Sequence, residues 1–112
     1  MKRWTNSLKP SKALVISGPA HRDLAQIAEY TQRTWGTGQK RKYLGALKAA
    51  LKTLRNTPDI GSARDDISPA LRVLSVEKHL VFYRLTDQDT IIVVRILHHA
   101  MDPAHHLPQS TP

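Results

Sequence analysis

Apolar residues at Leu24, Ile27, Ala28, Thr31 and Trp35 recur at the i, i+3, i+4 spacing of a single helical face. Arg22, Gln26, Glu29 and Arg33 fall on the opposite side. This pattern predicts a helix from about Pro19 to Trp35. Pro19 suits its first turn, where the missing N–H costs nothing. Asp23 falls in or near the early turns, toward the end of the dipole that favours negative charge. Gly36-Thr37-Gly38 should stop the helix, since glycine tolerates the left-handed conformation that ends helices. A second helix is predicted from about Gln39 to Arg55, with Tyr43, Ala46, Leu47, Ala50 and Leu54 on its apolar face. At about 100° per residue, Arg41, Lys48, Lys52 and Arg55 line up along the opposite face. So short a connection makes the pair an antiparallel hairpin. Trp35 is expected as a core anchor of that hairpin. Pro58 and Gly61 mark the exit.

Outside the hairpin the period changes from helical to extended. Ala13 to Ser17 (ALVIS) reads as a short strand. Ala70 to Glu77, Leu80 to Leu85 and Thr90 to His98 are rich in β-branched and aromatic residues, and short polar breaks separate them. They predict an antiparallel meander. The segment Thr90 to His98 is apolar on both faces and belongs inside the sheet, covered on at least one side by the hairpin. The N-terminal strand should join an edge of the sheet or pair with its centre. The fold class is therefore α+β: a two-layer domain of order β-α-α-β-β-β, a helical hairpin on a small, mostly antiparallel sheet. Residues 13–107 form a single domain. Residues 1–12 are expected as a flexible basic arm, and 108–112 as a loose tail. Looseness is expected already from Asp102 onward, because of Pro103, Pro108 and Pro112.

Composition narrows the function classes. A chain of 112 residues has room for one modest core. It is 40% apolar and 23% charged, ordinary for a globular domain. No run approaches the roughly 18 apolar residues of a membrane span. The basic N-terminus lacks a run long enough for a signal peptide. With no cysteine, disulfide and thiol chemistry are excluded, and a cytoplasmic location is expected. The formal net charge of +8 is unevenly placed: residues 1–56 hold all of the excess of Lys and Arg over acids, and the second half is slightly acidic. Such asymmetry points to an anionic partner.

Several motifs occur together. Tyr30-Thr31…Trp35-Gly36, Arg64-Asp65, His79…Phe82-Tyr83-Arg84 and Arg95-Ile96-Leu97-His98…Met101-Asp102…His106-Leu107 follow in order. In that combination the chain, over roughly residues 13 to 107, resembles the ParE toxins of bacterial toxin–antitoxin modules, within the RelE/ParE superfamily. The resemblance implies a fold shared with RelE-type toxins, which cut messenger RNA on the ribosome. It implies for this chain the ParE activity instead: inhibition of DNA gyrase and a block to replication, without enzymatic action of its own. It also implies neutralisation by a cognate antitoxin, a small ribbon-helix-helix protein of the ParD kind with an acidic C-terminal segment. Arg41, Lys48, Lys52, Arg55, Tyr30 and Trp35 are the expected antitoxin-binding residues. Arg95, His98, Met101 and Asp102 are the expected toxicity surface.

The alternatives are a RelE-type ribonuclease and a non-toxic binding module. A ribonuclease needs a base, an acid and cations for the scissile phosphate. Arg72, Arg84, Arg95 and His98 are the candidates. By strand alternation Arg95 shares a face with Ile91, Val93 and Leu97, while His98 lies opposite with Ile92, Val94 and Ile96, so the two are not expected to converge. Arg72 and Arg84 are expected to pair with Asp65 or Asp66. His98 is expected as a buried, hydrogen-bonded residue closing its strand. His98, Asp102 and His105 have the i, i+4, i+7 spacing of metal ligands on a helix, but Pro103 should break any helix there, so no metal and no cofactor are expected. Aromatic residues that could stack on bases are sparse, and direct nucleic-acid contact is not expected.

Overall fold

A computed structural model describes residues 12–107. Strand β1 (Ala13–Ile16) leads into helix α1 (Gly18–Trp35), and helix α2 (Thr37–Asn56) follows directly after Gly36. Strands β2 (Ser62–Ala63), β3 (Arg72–Val76), β4 (His79–Leu85) and β5 (Thr90–His98) come next, then a short helix α3 (Pro103–His106). The start of α1 is capped by Ser17, whose Oγ accepts the Ala20 N–H at 3.1 Å, with Pro19 in the first turn. Between the helices Gly36 adopts φ 93, a conformation that side-chain-bearing residues rarely take. That single residue reverses the chain.

The sheet order is β1-β5-β4-β3-β2, with β1 parallel to β5 and every other pair antiparallel. Strand β5 is interior, which accounts for its apolar character on both faces. On one face Ile27, Leu47 and Leu54 of the hairpin pack against Val81, Tyr83, Ile91, Val93 and Ile96. On the other face Phe82 and Leu97 pack under Leu71 and Leu107, with Ile67 beside them. The architecture is α+β, a helical hairpin on a mixed sheet, and the face away from the hairpin is closed by the 64–71 loop and the C-terminal turn.

Several expectations are corrected. Trp35 is 68% exposed and anchors no core. Residues 32–39 are all exposed, so the hairpin tip projects past the sheet and nothing covers the ring. The strand expected over 70–77 is shorter, because Ala70 (φ 63) and Glu77 (φ 54) leave the extended region at its two ends. Strand β2 was not foreseen. The segment after Asp102 is not loose: Asp102 Oδ1 accepts the Ala104 N–H at 3.1 Å, Pro103 opens α3, and Leu107 is buried. Lys12 is not part of a flexible arm. Its N–H donates to Arg55 O at 3.1 Å, and its Nζ lies 3.3 Å from Asp89. Residues 1–11 and 108–112 lie outside the described residues.

The alternation along β5 is broken as well. Phe82 pairs with Arg95 but Tyr83 pairs with Val93, which leaves Val94 as an extra residue on β5. Val94 therefore packs with the Phe82 and Leu97 cluster, and Ile96 returns to the hairpin face with Ile91 and Val93. Arg95 does not share the face of Ile91 and Val93.

Candidate functional site

Strand β1 pairs with β5 only as far as Val93. Beyond that point β5 would present unpaired backbone, and α1 supplies a substitute. Asp23, only 7% exposed, accepts the Ile96 N–H on Oδ2 at 2.9 Å. The same carboxylate accepts Arg95 Nε at 2.7 Å and Arg95 Nη2 at 2.9 Å, a two-pronged ion pair. Arg95 Nη1 donates to His106 O at 2.7 Å, which ties the C-terminal turn to the strand. The hydrogen bond to Asp23 pushes the Arg95 pKa above its ordinary value.

Beside this pair lies a cluster of rings. Tyr43 Oη accepts the Lys78 N–H at 3.1 Å and hydrogen-bonds His79 Nδ1, linking α2 to the β3–β4 turn. The His79 ring stands edge-on to His98 at 5.4 Å, and His98 stacks on His99 at 4.5 Å. Burial, then the neighbouring His98 and His99, lower the His79 pKa to about 4, against a smaller opposing pull from Asp23. Burial raises the pKa of Tyr43. His98 is half-buried, and its Nδ1 accepts the Ala100 N–H at 3.1 Å. A cleft of about 290 Å³ opens between α1 and the end of β5, lined by Ile27, Tyr30, His79, Arg95, His98 and Met101 among others. Arg95 and His98 thus border one cleft although alternation puts them on opposite faces of β5, because the β5 edge is open beyond Val93 and the Arg95 guanidinium reaches across it to Asp23. Tyr30 is 57% exposed on its rim.

Arg72 and Arg84 lie elsewhere. Arg72 donates to the carbonyl oxygens of Gly61 and Asp59, each at 3.0 Å. Arg84 donates to Ser68 Oγ and, at 3.4 Å, to Pro69 O. Neither pairs with Asp65 or Asp66, because loop carbonyls and the Ser68 hydroxyl fill their reach. Asp66 pairs instead with Arg64 at 3.0 Å, and Asp65 accepts the Ala70 N–H at 2.9 Å. Of the candidate ribonuclease set, the structure gathers Arg95 and His98 and leaves Arg72 and Arg84 fastening loops. Because α3 begins at Pro103, His98 and Asp102 are on no common helix with His105. Asp102 Oδ2 is 3.5 Å from His105 Nε2. Among the described residues no group of three or more His, Asp or Glu could hold a metal.

Arg41, Lys48, Lys52 and Arg55 are all exposed. Lys48, Lys52 and Arg55 border a shallow groove with Leu14 and Leu51, and Arg41 lies outside it. Tyr30 belongs to the cleft and Trp35 to the hairpin tip, so the expected antitoxin-binding residues do not converge on one place. Asp23, Tyr43 and His79 were missed as site residues. Asp23 had a signal: it stands four residues before Ile27 in the buried stripe, and a carboxylate there calls for a cation.

The same architecture occurs in solved toxin structures. The chromosomal ParDE toxin–antitoxin system from P. aeruginosa superposes with a TM-score of 0.68 at 21% identity, covering 79% of this chain and 96% of that one. The E. coli toxin RelE in the free state gives 0.55 at 14% identity, covering 88% and 94%. The class is thus the RelE/ParE-like toxin fold. Within it, residues 14–103 match the family described as ParE toxin of type II toxin-antitoxin system, parDE. Toxin ParE1 of Mycobacterium tuberculosis is 40% identical over 92 residues, covering 82% of this chain and 94% of the relative. Toxin ParE of Escherichia coli is 33% identical over 90 residues, covering 80% and 87%. The chain belongs to the ParE toxin family.

Proposed function

We propose that this toxin inhibits DNA gyrase by surface contact and so blocks replication, performing no chemistry of its own. A cognate antitoxin, a small ribbon-helix-helix protein with an acidic C-terminal segment, holds it inactive. Arg95, His98, Met101 and Asp102 organise the toxic surface. Arg41, Lys48, Lys52 and Arg55, with Tyr30 and Trp35, meet the antitoxin. The P. aeruginosa relative is itself part of a ParDE toxin–antitoxin system. No described helix is long and apolar enough to cross a membrane, in keeping with action on a cytoplasmic target.

One observation carries the non-enzymatic reading. Arg95 is the one permanent cation among the residues lining the α1–β5 cleft, and its guanidinium already serves Asp23 and His106. A scissile phosphate entering beside His98 would find no unengaged cation there to take up charge in the transition state. The test is inducible expression of wild type and His98→Gln, which keeps a similar size and some hydrogen bonding but ends acid–base chemistry. A general acid or base supplies roughly 10²–10⁴-fold in rate, so a ribonuclease would lose its toxicity. The gyrase reading expects toxicity to survive, with purified gyrase inhibited by both proteins. Ribosome-bound messenger cleavage that vanishes in His98→Gln, with gyrase untouched by the wild type, would install the RelE-type alternative.

A further inference from the structure

Between Glu29 and Asp59 the chain holds no acidic residue. The hairpin tip lies inside that stretch. There Trp35 ends α1 with its ring 68% exposed, more than any other large apolar side chain among the described residues. Lys40, Arg41 and Lys42 follow in the first turns of α2. Lys40 Nζ donates to Gln32 Oε1 at 2.6 Å, which brings its charge across the hairpin to the last turn of α1. Among the described residues no carboxylate pairs with Lys40, Arg41 or Lys42. The last acid of α1, Glu29, pairs with Arg33 at 3.7 Å. An indole gains much from burial, yet residues 32–39 are all exposed and supply nothing to cover it. An open aromatic face beside three unpaired cations suits a partner that is both flat and negatively charged.

We propose that the hairpin tip binds single-stranded nucleic acid, with Trp35 stacked on a base and Lys40, Arg41 and Lys42 on the flanking phosphates. Stacking needs only the π-face that every base carries, so the contact tolerates any sequence. The sparseness of aromatic residues weighs against such contact only while Trp35 is counted as core. With its ring in solvent, a stacking platform and its cations stand together. An unpaired strand fits better than a duplex, whose bases are already stacked on their neighbours and must be parted at a cost before the ring can enter. A lipid surface fits poorly, because residues 32–39 hold no second large apolar side chain to enter a bilayer beside the indole. An antitoxin that meets Trp35 and Arg41 covers the same tip, so strand and antitoxin compete for it. The proposal does not depend on gyrase being the target.

The experiment uses the full chain and an oligothymidylate of about 12 nucleotides, within the span of one strand-binding module. An abasic oligomer of the same length carries the same phosphates without the bases. Trp4→Phe leaves Trp35 as the only tryptophan, so the emission reports that ring directly. Oligothymidylate should quench it, and the abasic oligomer should not. Trp35→Ala, which removes a ring that belongs to neither buried cluster, should bind oligothymidylate about tenfold more weakly and the abasic oligomer equally well. Lys40→Gln/Arg41→Gln/Lys42→Gln should flatten the slope of log affinity against log salt by about 2, from about three counterions at roughly 0.7 each. Trp35→Ala should leave that slope unchanged. Oligothymidylate affinity that ignores Trp35→Ala, or quenching as strong with the abasic oligomer, overturns the proposal. So does a duplex of equal length bound more tightly than the single strand. Emission that shifts to the blue on phosphatidylglycerol vesicles and ignores oligothymidylate would make the tip a lipid contact and overturn it equally.

Discussion

Replacing Asp23 with alanine should cost about 3 kcal/mol of stability. The substitution removes three hydrogen bonds together: those from Arg95 Nε, Arg95 Nη2 and the Ile96 N–H. Breaking a buried ion pair by deleting one partner typically costs about 3–5 kcal/mol, against roughly 0–1 kcal/mol at the surface. This pair lies between those limits, since the Asp23 side chain is 8% exposed and that of Arg95 is 22% exposed. Solvent can rehydrate part of the guanidinium, which keeps its bond to His106 O. The stranded Ile96 N–H adds about 1–3 kcal/mol unless water reaches it. Domains of this kind have about 5–15 kcal/mol in total, so the loss is a large fraction. Asp23→Asn should lose about half as much, because an amide oxygen in the place of Oδ2 can still accept two of the three donors, Arg95 Nε and the Ile96 N–H, without the carboxylate charge. A double-mutant cycle with Arg95→Met should return a coupling of about 2 kcal/mol, within the range seen for contacting residues. The assay is equilibrium urea unfolding with a common slope for all variants. If Asp23→Ala unfolds within about 1 kcal/mol of wild type at unchanged slope, the carboxylate does not hold the edge of β5 in the way described.

Trp35→Ala should shift stability by no more than about 0.5 kcal/mol, as for an ordinary surface substitution, and a loss of about 3–5 kcal/mol in a thermal melt would put the ring back in a core. His79 should make stability depend on pH. Its folded pKa of about 4 lies below its ordinary value of 6.5, so the unfolded chain binds the proton first. Its contribution is full above pH 6.5 and is lost as the pH falls toward 4. Tyr43, His98, His99 and Asp23 face the ring, so a direct NMR titration of His79, with His79→Gln as the flattened control, is the measurement. A titration midpoint near 6.5 would remove the effect.

Legibility in the sequence varied with the range of the information required. Both long helices and the last strand follow from local period, and the apolar character of β5 on both faces correctly put it inside the sheet. The partnership of Asp23 with Arg95 spans 72 positions and depends on two non-local facts: where β1 stops, and that Val94 is bulged. Period alone reports neither. Trp35 falls in phase with the buried stripe, but phase says which way a side chain points and not whether anything covers it. Pro103 was read as a breaker, although the same missing N–H makes proline a good first residue, and there it starts α3. Arg72 and Arg84 were matched to the nearest acids in sequence. Their true acceptors are main-chain carbonyls, which every residue carries and no motif can mark, and for Arg84 also the Ser68 hydroxyl.

The parallel pairing of β1 with β5 has a temporal meaning. Ser17 Oγ donates to Val94 O across 77 positions, so the first strand finds its neighbour only when the last has been made. Until then the hairpin lacks the β5 part of the sheet face, Ile91, Val93 and Ile96, against which Ile27, Leu47 and Leu54 pack. Loop closure on that scale makes folding slow relative to local hairpins. A nascent chain therefore stays incomplete through most of its synthesis, and closes its sheet only after residues 90–98 have left the ribosome. The end of β5, where Arg95 and His98 stand, is therefore among the last parts of the domain to take shape.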